Sequence, residues 1–154
     1  MARSKTPPPA ALLASPDDVE AQFYEALQHG DLDKLMAVWC DDDDIACVHP
    51  GGGARLSGAA AIRASFEAVF ATGPIPLQPH SVRRMHTLGC AVHHVVERIA
   101  LIDDKGLHSA WVLATNVYLK TAQGWRMAVH HASPGSPASE LAELAPGAGP
   151  STLH

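Results

Sequence analysis

Apolar residues recur three and four positions apart in the first half of the chain and every second position after residue 75. The first period belongs to helices and the second to strands. Val19, Phe23, Ala26 and Leu27 form the stripe of a first helix. Ser15 or Asp17 is placed to cap it, with Pro16 in its first turn, and His29-Gly30 closes it. Asp31 opens a second helix that presents Leu32, Leu35, Met36 and Trp39. Ile45, Cys47 and His49 alternate with Ala46 and Val48, which predicts a short strand ending at His49-Pro50 and three glycines. Ser57 or Gly58 begins a third helix with Ala59, Ile62, Phe66, Val69 and Phe70 on one side, stopped by Gly73-Pro74.

The second half predicts four strands: Leu77 to Thr87, Ala91 to Ile102, Leu107 to Lys120, and a last strand that leaves the turn at Gly124 and ends at Pro134-Gly135. Asp103-Asp104-Lys105-Gly106 is a hairpin signal between the second and third of these. Plain alternation in the last strand puts Trp125, Met127, Val129, His131 and Ser133 on one face, and Arg126, Ala128, His130 and Ala132 on the other. The same alternation leaves Arg84, His86, His93, Glu97 and Arg126 for an outer sheet face. Helices first and strands afterwards make an α+β order: three N-terminal helices packed on a strongly curved, mostly antiparallel sheet. Residues 16–135 are expected to form one domain, between flexible tails at 1–15 and 136–154 that are rich in Pro, Ala and Gly. One helical turn is expected at Glu140 to Leu144 within the second tail.

Composition narrows the function classes. The chain has 154 residues, 47% of them hydrophobic, and a net charge of -5, which disfavours a nucleic-acid backbone as partner. Charges and histidines interrupt every apolar run, so a membrane span is not expected. Three cysteines without paired spacing, and an N-terminus without a continuous apolar core, point to a reduced, cytoplasmic setting. Ten histidines bring titration near neutral pH into reach.

The acidic run Asp41 to Asp44 lacks the alternating ligands, glycine and closing glutamate of an EF-hand loop and reads as a solvated turn. The glycines after His49 are not followed by Lys-Ser/Thr, so they form no P-loop. His93-His94 and His130-His131 each split across a strand, and no spacing promises a metal, so neither metal nor cofactor is expected. Asn116 sits in the middle of a long strand, where its amide must find a partner in pocket, ligand or interface. Trp39, Trp111 and Trp125 read either as core or as platforms for an apolar ligand.

From Ala26 to Phe66 the chain resembles the nuclear-transport-factor-2-like superfamily, in its SnoaL-like and ketosteroid-isomerase-like branch. The stretches that carry the resemblance are Ala26-Leu27-Gln28-His29-Gly30-Asp31-Leu32-Asp33, Trp39 with the acidic turn, His49-Pro50, Arg55 to Arg63, and the closing Gly124-Trp125 and Val129 to Ser133. The resemblance covers about residues 16–134 and implies a cystatin-like cone with an internal pocket. Isomerases of that branch place a carboxylate base where this chain has His49. Their oxyanion tyrosine falls on Phe23, with Tyr24 beside it, and their protonated aspartic acid falls on Asn116. Steroid isomerisation by that mechanism is therefore not implied. The short first strand lies beside the last in this family, which would bring His49 near His131.

The expectation is a pocket lined by histidines that holds a small hydrophobic molecule. His49, His131 and Asn116 are the catalytic candidates, and Phe23, Tyr24, Trp39, Trp111, Trp125 and His94 the ligand-binding ones. The bland reading makes His49 and His131 rim histidines bound to backbone or to each other. The reactions within reach are isomerisation, cyclisation and dehydration. The resemblance also implies a homodimer paired through the outer sheet face. The rival class is a non-catalytic assembly or regulatory domain like the kinase-association relatives of the same fold.

Overall fold

A computed structural model of the chain describes residues 13–136. Helix α1 spans Pro16–His29, with Ser15 as its cap accepting from the Asp18 amide at 3.1 Å. Gly30 ends it in the left-handed conformation at φ 65°, and its amide reaches back to the carbonyls of Ala26 and Leu27. Helix α2, Leu32–Met36, starts on the Asp31 side chain. Helix α3, Ala59–Phe70, starts at Gly58. All three helices fall where the apolar stripes put them.

The strands are β1 (Ala46–Val48), β2 (Leu56–Ser57), β3 (Leu77–His86), β4 (Cys90–Asp103), β5 (Gly106–Thr121) and β6 (Gly124–Pro134). They form one sheet in the order β2-β1-β6-β5-β4-β3. β3 to β6 are the antiparallel meander expected from the alternation, and β1 joins β6 in parallel. β2 was not legible as a strand: it is two residues long and only back-pairs with β1. The sheet curls so far that α1 touches β3, β5 and β6. Val19, Phe23, Tyr24 and Leu27 of α1 are buried against Val95, Ala114, Tyr118 and Met127 of the sheet, with Ile62 and Phe66 of α3 in the same core.

Three expectations about placement are corrected. Leu13, assigned to a tail, is 5% exposed and its carbonyl accepts from the Trp125 amide at 2.9 Å. The helical turn expected at Glu140 to Leu144 lies outside the described residues. The second correction concerns β6. Val117 pairs with Val129 but Tyr118 pairs with Met127, so Ala128 is an extra residue in the strand. Such a bulge reverses which face every later side chain occupies. Trp125 and Met127 point inward before it; His130 and Ala132 are buried after it, and His131 is exposed. His93 and Glu97, expected on the outer face, are each 1% exposed. They share β4's inner face with Ala91 and Val95, opposite Asn116 and Val112 of β5. No helix among the described residues is long and apolar enough to cross a membrane.

The bulge yields a test. Deleting Ala128 restores plain alternation and drives either His130 and Ala132 or Trp125 and Met127 out of the core. The expected result is loss of a cooperative thermal transition, whereas Ala128→Gly, which keeps the extra residue, melts cooperatively.

Candidate functional site

A row of polar side chains runs through the apolar interior. Alternate residues of β5 give Asn116 and Tyr118 to the inner face. Glu97 and His93 come from β4, His130 from β6, and Glu20 and Tyr24 from α1. Asn116 is fully buried and joins two branches of the row. Its Nδ2 donates to the Tyr24 hydroxyl at 3.0 Å, and its Oδ1 lies 2.6 Å from His130 Nδ1. The Tyr24 hydroxyl in turn donates to Glu97 Oε2 at 2.6 Å. An amide oxygen can only accept, so the proton of the neutral His130 ring sits on Nδ1 and Nε2 carries the lone pair.

Burial sets the charge state of this row. Desolvation pushes the Glu97 carboxyl from its ordinary 4.5 up to about 7; nearby Glu20 adds to the rise, and the Tyr24 hydrogen bond opposes it. Desolvation, with repulsion from His49 and His131, holds His130 down at about 3, so its ring is neutral throughout the physiological range. Burial first, then the neighbouring Glu97, raises Tyr24 well above the usual phenol value. The row therefore couples a carboxyl that titrates near neutrality to a phenol and a neutral imidazole.

A second branch lies alongside. Glu20 Oε2 is 3.0 Å from His93 Nδ1 and accepts from the Tyr118 hydroxyl at 3.1 Å. Glu20 and Tyr24 also line a groove of about 480 Å³ between α1 and β3, together with Asp17, His80 and Arg84.

His49 stands where β1 leaves the sheet. Its ring packs edge-on against Phe66 with centroids 4.9 Å apart, and its Nε2 is 3.0 Å from Ser65 Oγ. Partial burial lowers its pKa. β1 pairs Cys47 with His130 and Val48 with His131, so β1 does lie beside β6 as expected. The histidine that faces the interior with His49 is His130, because of the bulge at Ala128.

The remaining candidates divide among three regions. Phe23 and Tyr24 are both interior, and the Phe23 ring lies 4.9 Å from that of His130. Phe23 carries no hydroxyl, and the neighbouring Tyr24 brings one into the interior, where it donates to Glu97. Trp39 is buried 6.5 Å from Phe23, centroid to centroid, and lines a cavity of about 390 Å³ between the acidic turn and β6. Trp125 is buried at the start of β6, against His86. Trp111, His94 and His131 are on the outer face of the sheet: Trp111 packs against His80 and Arg98, and His94 and His131 border a shallow depression of about 610 Å³. The structure brings His49, Asn116, Phe23 and Tyr24 to one interior and does not bring His94, His131 or Trp111 there.

Glu97, Glu20, His93, His130 and Tyr118 were missed as site residues. The signal was present for two of them. Glu20 falls between Val19 and Phe23 on the apolar stripe of α1, and Glu97 follows Val95 at a spacing of two on the inner face of β4. An acid on an apolar stripe needs a partner and marks a site.

The sequence model of the SnoaL-like domain family matches residues 17–138. No curated protein matches the chain. Among solved structures, the chain is 38% identical to a protein from Thiobacillus denitrificans provisionally assigned as a calcium/calmodulin-dependent protein kinase type II association domain. That match covers 81% of this chain and 98% of the other, with a TM-score of 0.73. It is 30% identical to a protein of the NTF2-like family from Streptomyces avermitilis provisionally assigned as a dehydratase, over 84% of this chain and 99% of the other, with a TM-score of 0.68. A protein from Parabacteroides distasonis provisionally assigned as a ketosteroid isomerase shares the fold at 18% identity and a TM-score of 0.63, over 80% of this chain and 89% of the other. The fold is cystatin-like and NTF2-like.

The raised Glu97 pKa sets a pH dependence. The folded state holds the proton more tightly than the unfolded chain, so the contribution of Glu97 to stability is fully present below about pH 4.5 and is lost as pH rises through about 7. That loss amounts to about 3 kcal/mol by the conversion of a pKa difference into free energy. His130 acts in the opposite direction: its contribution is present above pH 6.5 and is lost as pH falls toward about 3. Urea unfolding at pH 5 and pH 8 should therefore show Glu97→Gln gaining stability relative to the parent between the two conditions. An equal difference at both would contradict the placement of the proton.

Proposed function

The chain belongs to the SnoaL-like domain family, and on that premise we propose that it is a small-molecule enzyme of the isomerase or dehydratase kind. Its substrate is a small, largely apolar carbonyl or hydroxy compound, bound where His49, Phe66 and Ser65 meet the interior. The observation that carries this reading is the continuous hydrogen-bonded row Glu97–Tyr24–Asn116–His130, with an acid near pKa 7 at one end and a neutral imidazole at the other. Proton transfer works best with groups whose pKa lies near the working pH. The 30% identity to the provisional dehydratase supports the reaction class.

His49 is the group for direct proton transfer. It is half-buried, neutral at physiological pH and already hydrogen-bonded to a hydroxyl. It takes a proton from the carbon beside the carbonyl, and the electron pair moves onto the carbonyl oxygen. Return of that proton to another carbon completes an isomerisation; its delivery to a departing hydroxyl releases water and completes a dehydration. The Tyr24–Asn116–His130 row supplies fixed dipoles in a dry environment, which can meet developing charge without reorganising.

A second reading rests on the 38% identity to the provisional association domain. The outer face of β4, β5 and β6 carries Val96, Leu113, Thr115 and Val129 between His94 and His131. In this reading two copies pair through that face. Light scattering is expected to give twice the 16.2 kDa chain mass, and Leu113→Asp is expected to give a single chain. A parent protein of 16.2 kDa at working concentration removes the assembly reading.

The enzyme reading is tested by turnover, or by exchange of substrate protons for deuterium, across a panel of small hydrophobic ketones and hydroxy-ketones. His49→Ala is expected to lower the rate about 10²–10⁴-fold while melting like the parent. Tyr24→Phe is expected to lower it less and to shift the pH profile. An active parent whose rate is unchanged in His49→Ala removes His49 from the mechanism. A panel without turnover, proton exchange or thermal shift removes the small-molecule reading.

A further inference from the structure

The Glu20 branch of the interior is not used by that chemistry, and it meets the surface at Asp17. Asp17 and Glu20 are three residues apart on α1 and so share one side of the helix. His93 reaches the same place from the inner face of β4. One ligand atom from each of these three residues lies within 4.8 Å of the other two. We propose that Asp17, Glu20 and His93 form a binding site for a divalent first-row transition metal, with an open side in the groove between α1 and β3.

The geometry suits an ion. Glu20 Oε2 and His93 Nδ1 are 3.0 Å apart. Two ligand atoms at right angles, each about 2.1 Å from one ion, are separated by roughly 3 Å. One imidazole and two carboxylates favour manganese, iron, cobalt or zinc over calcium or magnesium, which prefer all-oxygen shells. The surroundings hold the ligands in place. Tyr118 donates to Glu20 Oε2 at 3.1 Å, and its ring packs against His93 with centroids 4.8 Å apart. Arg84 Nε donates to Asp17 Oδ1 at 2.9 Å. These are the outer contacts that orient metal ligands. Two ligands are buried and one is exposed, so the ion has protein behind it and solvent or a small ligand in front. A site of three protein ligands with an open position is the arrangement of metals that act on a bound molecule.

A neutral His93 ring can bind an ion at Nδ1 with its hydrogen on Nε2, so the ion takes the place of the hydrogen bond between His93 Nδ1 and Glu20 Oε2.

The test titrates the full chain with Co²⁺ and follows visible absorption and melting temperature. The expected result is one ion per chain, with absorption bands of a nitrogen- and oxygen-bound ion and a raised melting temperature. Asp17→Asn, on the surface, is expected to weaken binding about tenfold or more, and Tyr118→Phe, beyond the ligands, to weaken it within about 10–100-fold. Glu20→Gln is expected to abolish it, and His108→Ala, at an exposed histidine far along β4–β5, to leave it unchanged. Two results overturn the proposal: no saturable Co²⁺ uptake, or uptake that is the same in Asp17→Asn as in the parent. Asp17→Asn decides the matter if Glu20→Gln fails to fold, because Asp17 is not part of the core.

Discussion

A side-chain amide shut away from water must be satisfied by the protein around it. Asn116 is such a group, and its two bonds, to Tyr24 and to His130, tie α1, β5 and β6 together at the centre of the cone. Each partner then has requirements of its own. Tyr24 passes its hydrogen to Glu97, which brings β4 into the same row. Truncating the amide would leave a buried hydroxyl and a buried imidazole short of a partner, at about 1–3 kcal/mol for each unsatisfied group. The row fixes the relative position of α1 and three strands more narrowly than apolar packing does, because hydrogen bonds tolerate little displacement while apolar side chains can repack.

The fold was legible because its signals are periodic. The apolar stripes of α1 and α3 and the alternation along β3 to β5 each extend over ten or more residues. Features carried by one or two residues were not. β2 has no period to read, and Leu13 looked like part of a proline-rich tail. Ala128 is the most instructive case. Nothing in its type marks a bulge, yet it decides that His130 rather than His131 meets the interior. Errors of this kind are systematic: every assignment beyond the bulge inverts together.

The site was legible in its parts and not in its connections. His49 and Asn116 could be named from their place on a strand, and Tyr24 from the family resemblance that set it beside Phe23. Their partners Glu97 and Glu20 were passed over because charged residues usually face solvent. Their neighbours argued otherwise: Val95 and Ala91 flank Glu97's side of β4, and Val19 and Phe23 flank Glu20 on α1. Charge type and apolar register disagreed at two places, and both places hold buried polar networks.

The parallel pairing of β1 with β6 has a kinetic side. Cys47 and His130 meet across about eighty residues of chain, whereas β4 and β5 meet through a tight hairpin, and contacts between distant residues carry the larger loop-closure cost. The meander can assemble from neighbours, but the edge that carries His49 closes only when the last strand exists. During synthesis the chain emerges with His49 early and His130 late, so the interior stands open until nearly the whole domain has been made.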